Sequence, residues 1–227
     1  MSTDALEPYQ VELIEHAMSV GALKFGSFTL KSGRLSPYFF NAGLLSTGPI
    51  LSTIASAYAA TIVGNLHDAG FPPFDILFGP AYKGISLAAC TALVLHTAHK
   101  HDVGFAYDRK EAKTHGEGGS LVGSPVAGKR VLILDDVMTA GTAIRIAIAH
   151  VEEAGGNVVG VVQCLDREEI GKDGGNTVTE VEQLVGGAGR VKSILQMRDL
   201  MKWLEANGRT EELAKMKDYW EAYGIKQ

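Results

Sequence analysis

Four consecutive aliphatic residues, Val131-Leu132-Ile133-Leu134, run directly into Asp135-Asp136 and then into the small, hydroxylated stretch Val137-Met138-Thr139-Ala140-Gly141-Thr142-Ala143. An uninterrupted aliphatic run is the mark of a strand buried on both faces, and such strands belong to parallel sheets covered by helices. Downstream, Ile144, Ala147, Ile148 and Val151 fall at i, i+3, i+4 and i+7, a helical spacing that Gly155-Gly156 ends. Val158–Cys164 reads as a second doubly buried strand. Upstream, Phe74–Phe78 reads as a short strand, Ile85–His99 as a helix and Val103–Tyr107 as a strand. Strand–loop–helix units in series predict an α/β fold with a central, mostly parallel sheet flanked by helices.

The flanks are less regular. Pro8–Val20 has helical spacing and stops at Gly21, and KFGSFTLKSGRLSPYFFNAG alternates short apolar runs with Gly, Ser and Pro, as strands joined by turns do. A further helix is expected from Gly48-Pro49, with Leu51, Ile54, Ala55, Tyr58 and Ile62 as its apolar face. The polar, glycine-rich stretch leading to Gly119 reads as a loop. The tail from Ser193 reads as helical, with Leu200, Trp203 and Leu204 as packing residues. No linker composition divides the 227 residues, so one domain is expected, with a smaller N-terminal piece over about residues 1–45.

Composition removes several classes of function. The 21 Lys and Arg against 26 Asp and Glu give a net charge of −5, which disfavours a partner bound by phosphate neutralisation, such as nucleic acid. No apolar run approaches the ~18 residues of a membrane span. The two cysteines, Cys90 and Cys164, are far apart, and the N-terminus has no basic stretch followed by an apolar run, so a cytoplasmic setting is expected. Glycine is the outlier: 27 of 227 is about 12% against a usual ~7%, pointing to backbone-shaped loops. GSPVAGKR (123–130) nearly matches a P-loop but fails at Arg130 and precedes a strand instead of following one. HGEGGSL lacks the third glycine of a dinucleotide fingerprint. His96, His99 and His101 have spacings a metal accepts, but they also suit a helix C-terminus, and no second cluster supports a metal site.

Chemistry concentrates after the aliphatic strand. It delivers Asp135 and Asp136 to the carboxyl end of the sheet, where α/β proteins bind ligands. Thr139-Ala140-Gly141-Thr142 then enters a helix whose exposed N–H groups form an anion site without positive side chains. Carboxylates beside a phosphate nest make sense for one ligand carrying both a phosphate and a polyol, as a phosphorylated ribose does. An acidic turn followed by an ordinary helix start is the simpler reading of an Asp-Asp pair alone.

Val131–Ala143 resembles the phosphoribosyl-pyrophosphate motif of the type I phosphoribosyltransferases. FTLKSGRLSPYFFNAG (28–43), LFGPAYKGI (77–85), RKEAKTHGEGGSLVG (109–123) and LDR (165–167) resemble the orotate phosphoribosyltransferases in the same order. The resemblance implies the type I fold with the N-terminal piece as a hood over the base site. It implies that orotate displaces pyrophosphate from phosphoribosyl pyrophosphate, with Mg²⁺ required and held mostly through substrate oxygens and waters, so no protein ligand to the metal is expected. Asp135 and Asp136 are then expected at the ribose hydroxyls, and Val137 to Ala143 (Val137, Met138, Thr139, Ala140, Gly141, Thr142 and Ala143) around the 5′-phosphate. Tyr82 and Lys83 are expected at pyrophosphate, with Thr139 reaching both ligands. Arg109, Lys110, Lys113 and His115 form a closing lid. In the family that lid reaches the neighbouring subunit's site, with Lys113 the favoured catalytic lysine, which implies a functional homodimer. Arg167 is expected to grip the orotate carboxylate, Phe39 and Phe40 to contact its ring, and Lys31 to complete a basic rim. Without the resemblance, Phe39 and Phe40 read as core packing and the lid as a solvated loop.

Three rivals remain at this stage: a phosphoribosyltransferase for another base, a non-catalytic sensor of phosphoribosyl pyrophosphate, and a scaffold. The first has no need of Lys31, Phe39-Phe40 and Arg167 together. The second favours a basic face or an added DNA-binding motif, against which the net charge of −5 argues. The third leaves the polar lid without a purpose.

Overall fold

A computed structural model describes residues 5–30, 32–66, 70–113, 119–171 and 174–225, with the side chains of 112, 113 and 119 outside the description. In chain order the elements are α1 (Pro8–Ser19), β1 (Leu23–Thr29), β2 (Leu35–Phe40), a short 3₁₀ turn (Ala42–Leu44), α2 (Gly48–Gly64), β3 (Ile76–Gly79), α3 (Lys83–His99), β4 (Gly104–Lys113) and β5 (Gly119–Gly123). There follow β6 (Arg130–Asp135), α4 (Thr142–Glu153), β7 (Asn157–Asp166), α5 (Thr177–Leu184), β8 (Val191–Gln196), α6 (Met197–Ala206) and α7 (Thr210–Tyr223).

The main sheet has the order β5-β4-β3-β6-β7-β8, parallel throughout except for the antiparallel edge pair β4–β5. β6 alternates between two apolar layers. Leu132 and Leu134 face α2, α3 and the C-terminal helices, whereas Val131 and Ile133 face α4 and α5. That two-sided burial is the physical reason for the unbroken aliphatic run. From β3 the chain moves outward to β4 on one side, then returns to place β6 on the other side of β3. The order therefore reverses between β3 and β6, and the crevice beyond their carboxyl ends is the ligand position that such a switch point creates. β1 and β2 form a separate antiparallel ribbon.

Three departures from the sequence expectation have physical causes. Val191–Gln196 is a strand, although Val191, Ile194 and Leu195 are its buried residues and their spacing imitates a helix. Pairing with β7 outweighs that local signal, and the helix starts only at Met197. The polar stretch Arg109–Lys113, expected to be loop, extends β4 past its pairing with β3 into a two-stranded arm with β5, where charged side chains can face water. Thr177–Leu184 forms α5, started by the Asn176 side chain accepting from the Val178 and Thr179 N–H groups.

Candidate active site

The β3–β6 crevice is built from two loops. After β3, Gly79 and Gly84 bring the chain back on itself. A Cβ on Gly79 would lie 2.2 Å from the Gly84 carbonyl oxygen, and one on Gly84 would lie 2.9 Å from that of Leu134, so this loop packs against β6 only as glycine. These glycines serve close packing of loop on strand. The Ala81–Tyr82 peptide in this loop is cis. The Ala81 N–H donates to Asp108 Oδ1 at 2.6 Å, and Asp108 Oδ2 lies 3.1 Å from His150 Nδ1. One buried carboxylate on β4 thus ties down the loop carrying Tyr82 and Lys83.

At the end of β6 the chain places Asp135 at the carboxyl end of the sheet, with its carbonyl oxygen accepting from the Tyr58 hydroxyl at 2.6 Å. The Asp136 N–H donates to Asp135 Oδ1 at 2.9 Å, and Asp136 Oδ2 pairs with Lys83 Nζ at 2.6 Å. Burial, and then the negative charge of Asp136, push the Asp135 carboxyl well above the usual carboxylate range, with Lys83 opposing. Gln163, fully buried on β7, accepts the Met138 N–H at 2.9 Å and donates to Ser193 at 3.1 Å. Thr177 donates to the Thr139 carbonyl at 3.0 Å. Gly141 has φ +70° where the turn enters α4, a conformation a side chain resists. Thr139, Ala140, Thr142 and Ala143 are exposed at this helix start, Val137 is half-buried, and Met138 is buried in the α4 layer. Met138 can therefore serve a ligand only through its backbone.

Of the expected residues, the structure brings Tyr82, Lys83, Asp135 and Asp136 to the same crevice. Lys110 on β4 joins them, its Nζ 4.7 Å from the centre of the exposed Tyr82 ring, with Arg109 half-buried beside it. Lys31 and His115 lie outside the described residues, as does the side chain of Lys113. Arg167 follows β7 and meets the β1–β2 ribbon, where its Cζ stacks 4.2 Å from the Tyr38 ring and an Nη donates to Ser36 Oγ at 3.0 Å. Phe39 is 40% exposed on the same ribbon, packed on Phe28, and Phe40 is partly buried against the core. Tyr58, read in the sequence only as packing, and Asp108 and Gln163 were not singled out as site residues. Gln163 alone left a trace, a polar residue in the aliphatic run VVGVVQC, where burial demands a partner.

Among the described residues, no group of three His, Cys, Asp or Glu side chains is close enough to hold a metal ion, and no helix is long and apolar enough to cross a membrane. A groove of about 400 Å³ also lies between α6 and α7, lined by Met201, Leu213 and Trp220 together with Lys202, Glu205 and Lys217.

A family model of the phosphoribosyl transferase domain matches residues 49–193. The orotate phosphoribosyltransferase of Acinetobacter baylyi is 50% identical over 212 residues, covering 93% of this chain and 94% of that one. Its Klebsiella pneumoniae counterpart is 49% identical, covering 97% and 100%. Among solved structures, the Francisella tularensis orotate phosphoribosyltransferase superposes with a TM-score of 0.82 at 40% identity, over 94% of this chain and all of that one. Leishmania donovani UMP synthase shares the fold, with a TM-score of 0.71 at 24% identity over 94% of this chain and 42% of that one.

Proposed function

The chain belongs to the orotate phosphoribosyltransferases, and on that footing we propose that the β3–β6 crevice is where it transfers the phosphoribosyl group from phosphoribosyl pyrophosphate to orotate. The products are orotidine 5′-monophosphate and pyrophosphate, a step of pyrimidine biosynthesis. One observation carries the placement: an acid pair and an exposed amide turn at the sheet's switch point, faced by Lys83 and Lys110.

The division of labour follows from charge. The N–H groups of the Thr139–Ala143 turn receive the 5′-phosphate at the start of α4. Asp135 and Asp136 take the ribose hydroxyls, and their negative charge stabilises the ring as the bond from C1 to pyrophosphate breaks and C1 becomes cationic. Lys83 is held by Asp136 in the absence of ligand. The more highly charged pyrophosphate draws it away, joined by Arg109, Lys110 and the lid residues Lys113 and His115. Arg167 receives the orotate carboxylate, Phe39 and Phe40 the ring, and Lys31 the rim between them, beneath the β1–β2 hood of a single domain. Mg²⁺ supplies positive charge to the leaving pyrophosphate. Among the described residues no third His, Cys, Asp or Glu joins Asp135 and Asp136, so the pair would suit contact with a hydrated ion through waters rather than direct ligation. The protein acts in the cytoplasm as a homodimer in which each lid serves the partner's site.

The deciding assay follows orotate's ultraviolet absorbance with phosphoribosyl pyrophosphate and Mg²⁺, alongside uracil, adenine and hypoxanthine. Loss with orotate alone, abolished by a chelator, is the expected result. Turnover of another base overturns the base assignment, and binding of phosphoribosyl pyrophosphate without turnover of any base makes the protein a sensor.

A further inference from the structure

Arg167 is held before any ligand arrives. Its Nε lies 2.7 Å from Glu169 Oε1, and the Nη that donates to Ser36 lies 2.7 Å from the same carboxylate oxygen. The Tyr38 ring covers one face of the guanidinium. Burial alone would make Arg167 easier to deprotonate, but Tyr38 and Glu169 reverse this and leave it firmly charged. Among the described residues its second Nη makes no hydrogen bond, which leaves that end of the fork without a protein acceptor.

Glu169 is itself held. Its other oxygen lies 3.4 Å from an Arg34 Nη, and Arg34 reaches across from the β1–β2 turn to donate to the Ile170 carbonyl at 2.8 Å and to stack on Tyr223. The end of the chain closes over the same loop. The Ile170 N–H donates to the Tyr223 carbonyl at 2.9 Å and the Ile225 N–H to the Glu168 carbonyl at 2.8 Å. Arg34, Glu169 and Arg167 have side chains 20%, 14% and 11% exposed.

We propose that Glu169 is the positioning residue of the base site: it fixes Arg167 with one Nη presented to the ligand carboxylate, while Arg34 and the C-terminal segment fix Glu169. The proposal rests on the reading of Arg167 as the orotate grip. Charge and positioning make opposite demands here. As a counter-charge, Glu169 weakens the attraction of Arg167 for a carboxylate, so its removal would tighten orotate binding. As a positioning group, it spares the ligand the entropy of ordering a long side chain, so its removal weakens binding.

Steady-state kinetics on Arg167→Ala, Glu169→Ala, Glu169→Gln and Ser36→Ala separate the two. Arg167→Ala is expected to raise the orotate KM about a hundredfold by losing a charge-assisted contact. Glu169→Ala is expected to raise it about tenfold, and Glu169→Gln, which keeps an acceptor and loses the charge, to stay within about threefold of the parent. The KM for phosphoribosyl pyrophosphate stays at the parent value in all four. A lower orotate KM in both Glu169 variants, or an unchanged one in Glu169→Ala while Arg167→Ala responds, overturns the positioning role alone. An unchanged orotate KM in Arg167→Ala overturns the reading beneath it as well. If Glu169→Ala does not fold, Ser36→Ala decides: a rise of about threefold supports the proposal and no change overturns it.

Discussion

Asp166 ends β7 immediately before Arg167, and its half-buried carboxyl accepts the Glu168 N–H at 2.8 Å. Burial is the main influence on it, supported by the charges of Glu168 and Glu169 and opposed by that N–H and by Arg198. Together they push it up to about 6 from an ordinary value of 3.8. Since the folded value lies above the unfolded one, its contribution to stability is full below about pH 4 and is lost as pH rises through about 6. A rise of this size is worth about 2–3 kcal/mol once the group is ionised. Asp166→Asn keeps an oxygen for the Glu168 N–H and removes the charge. The expected result is a variant about as stable as the parent near pH 4 and more stable by about 2–3 kcal/mol near pH 8. Urea unfolding at fixed protein concentration across that range measures the difference. Asp135, also raised by burial and by Asp136, is present in both proteins, so it tilts both profiles and leaves their difference intact. A difference that stays constant with pH would refute the reasoning, because it would mean that Asp166 titrates alike in the folded and unfolded chains.

Three further outcomes are expected. Gln163→Leu leaves the Met138 N–H buried without an acceptor, costing about 1–3 kcal/mol in urea unfolding and raising the KM for phosphoribosyl pyrophosphate more than that for orotate. Asp108→Ala, which frees the Ala81 N–H, weakens pyrophosphate inhibition by about tenfold, whereas Asp108→Asn, which retains an acceptor, stays close to the parent. Lys113→Ala lowers kcat far more than it changes either KM, and mixing it with an Asp135→Ala/Asp136→Ala chain restores activity in hybrid dimers. No recovery under proven subunit exchange would count against a shared lid.

The part of the site that was legible in the sequence is the part the chain writes contiguously. Val131 to Ala143 contains its own strand, turn and helix start, so the residue order fixes which groups reach the sheet edge and which amides stand exposed. The mostly parallel sheet was legible for a related reason: burial on both faces leaves a composition that no edge strand shows. β8 was not, because its buried residues fall at helical spacing by coincidence of which positions β7 and the C-terminal helices cover. β4 beyond Tyr107 was not, because there it leaves β3 and pairs with β5 alone, and a two-stranded arm open to water carries the polar composition of a loop. The supports of the site were hidden for a third reason. Tyr58 lies 77 residues from the Asp135 carbonyl it binds, Asp108 lies 27 from Ala81 and Ser36 lies 131 from Arg167. Each is an unremarkable residue in its own segment and gains a role only from the topology that brings it across. Groups that touch a phosphate or a ribose must have a particular chemistry and so leave a motif. Groups that merely hold those groups in place need only one hydrogen bond from the right direction, which many residue types provide, so they leave none.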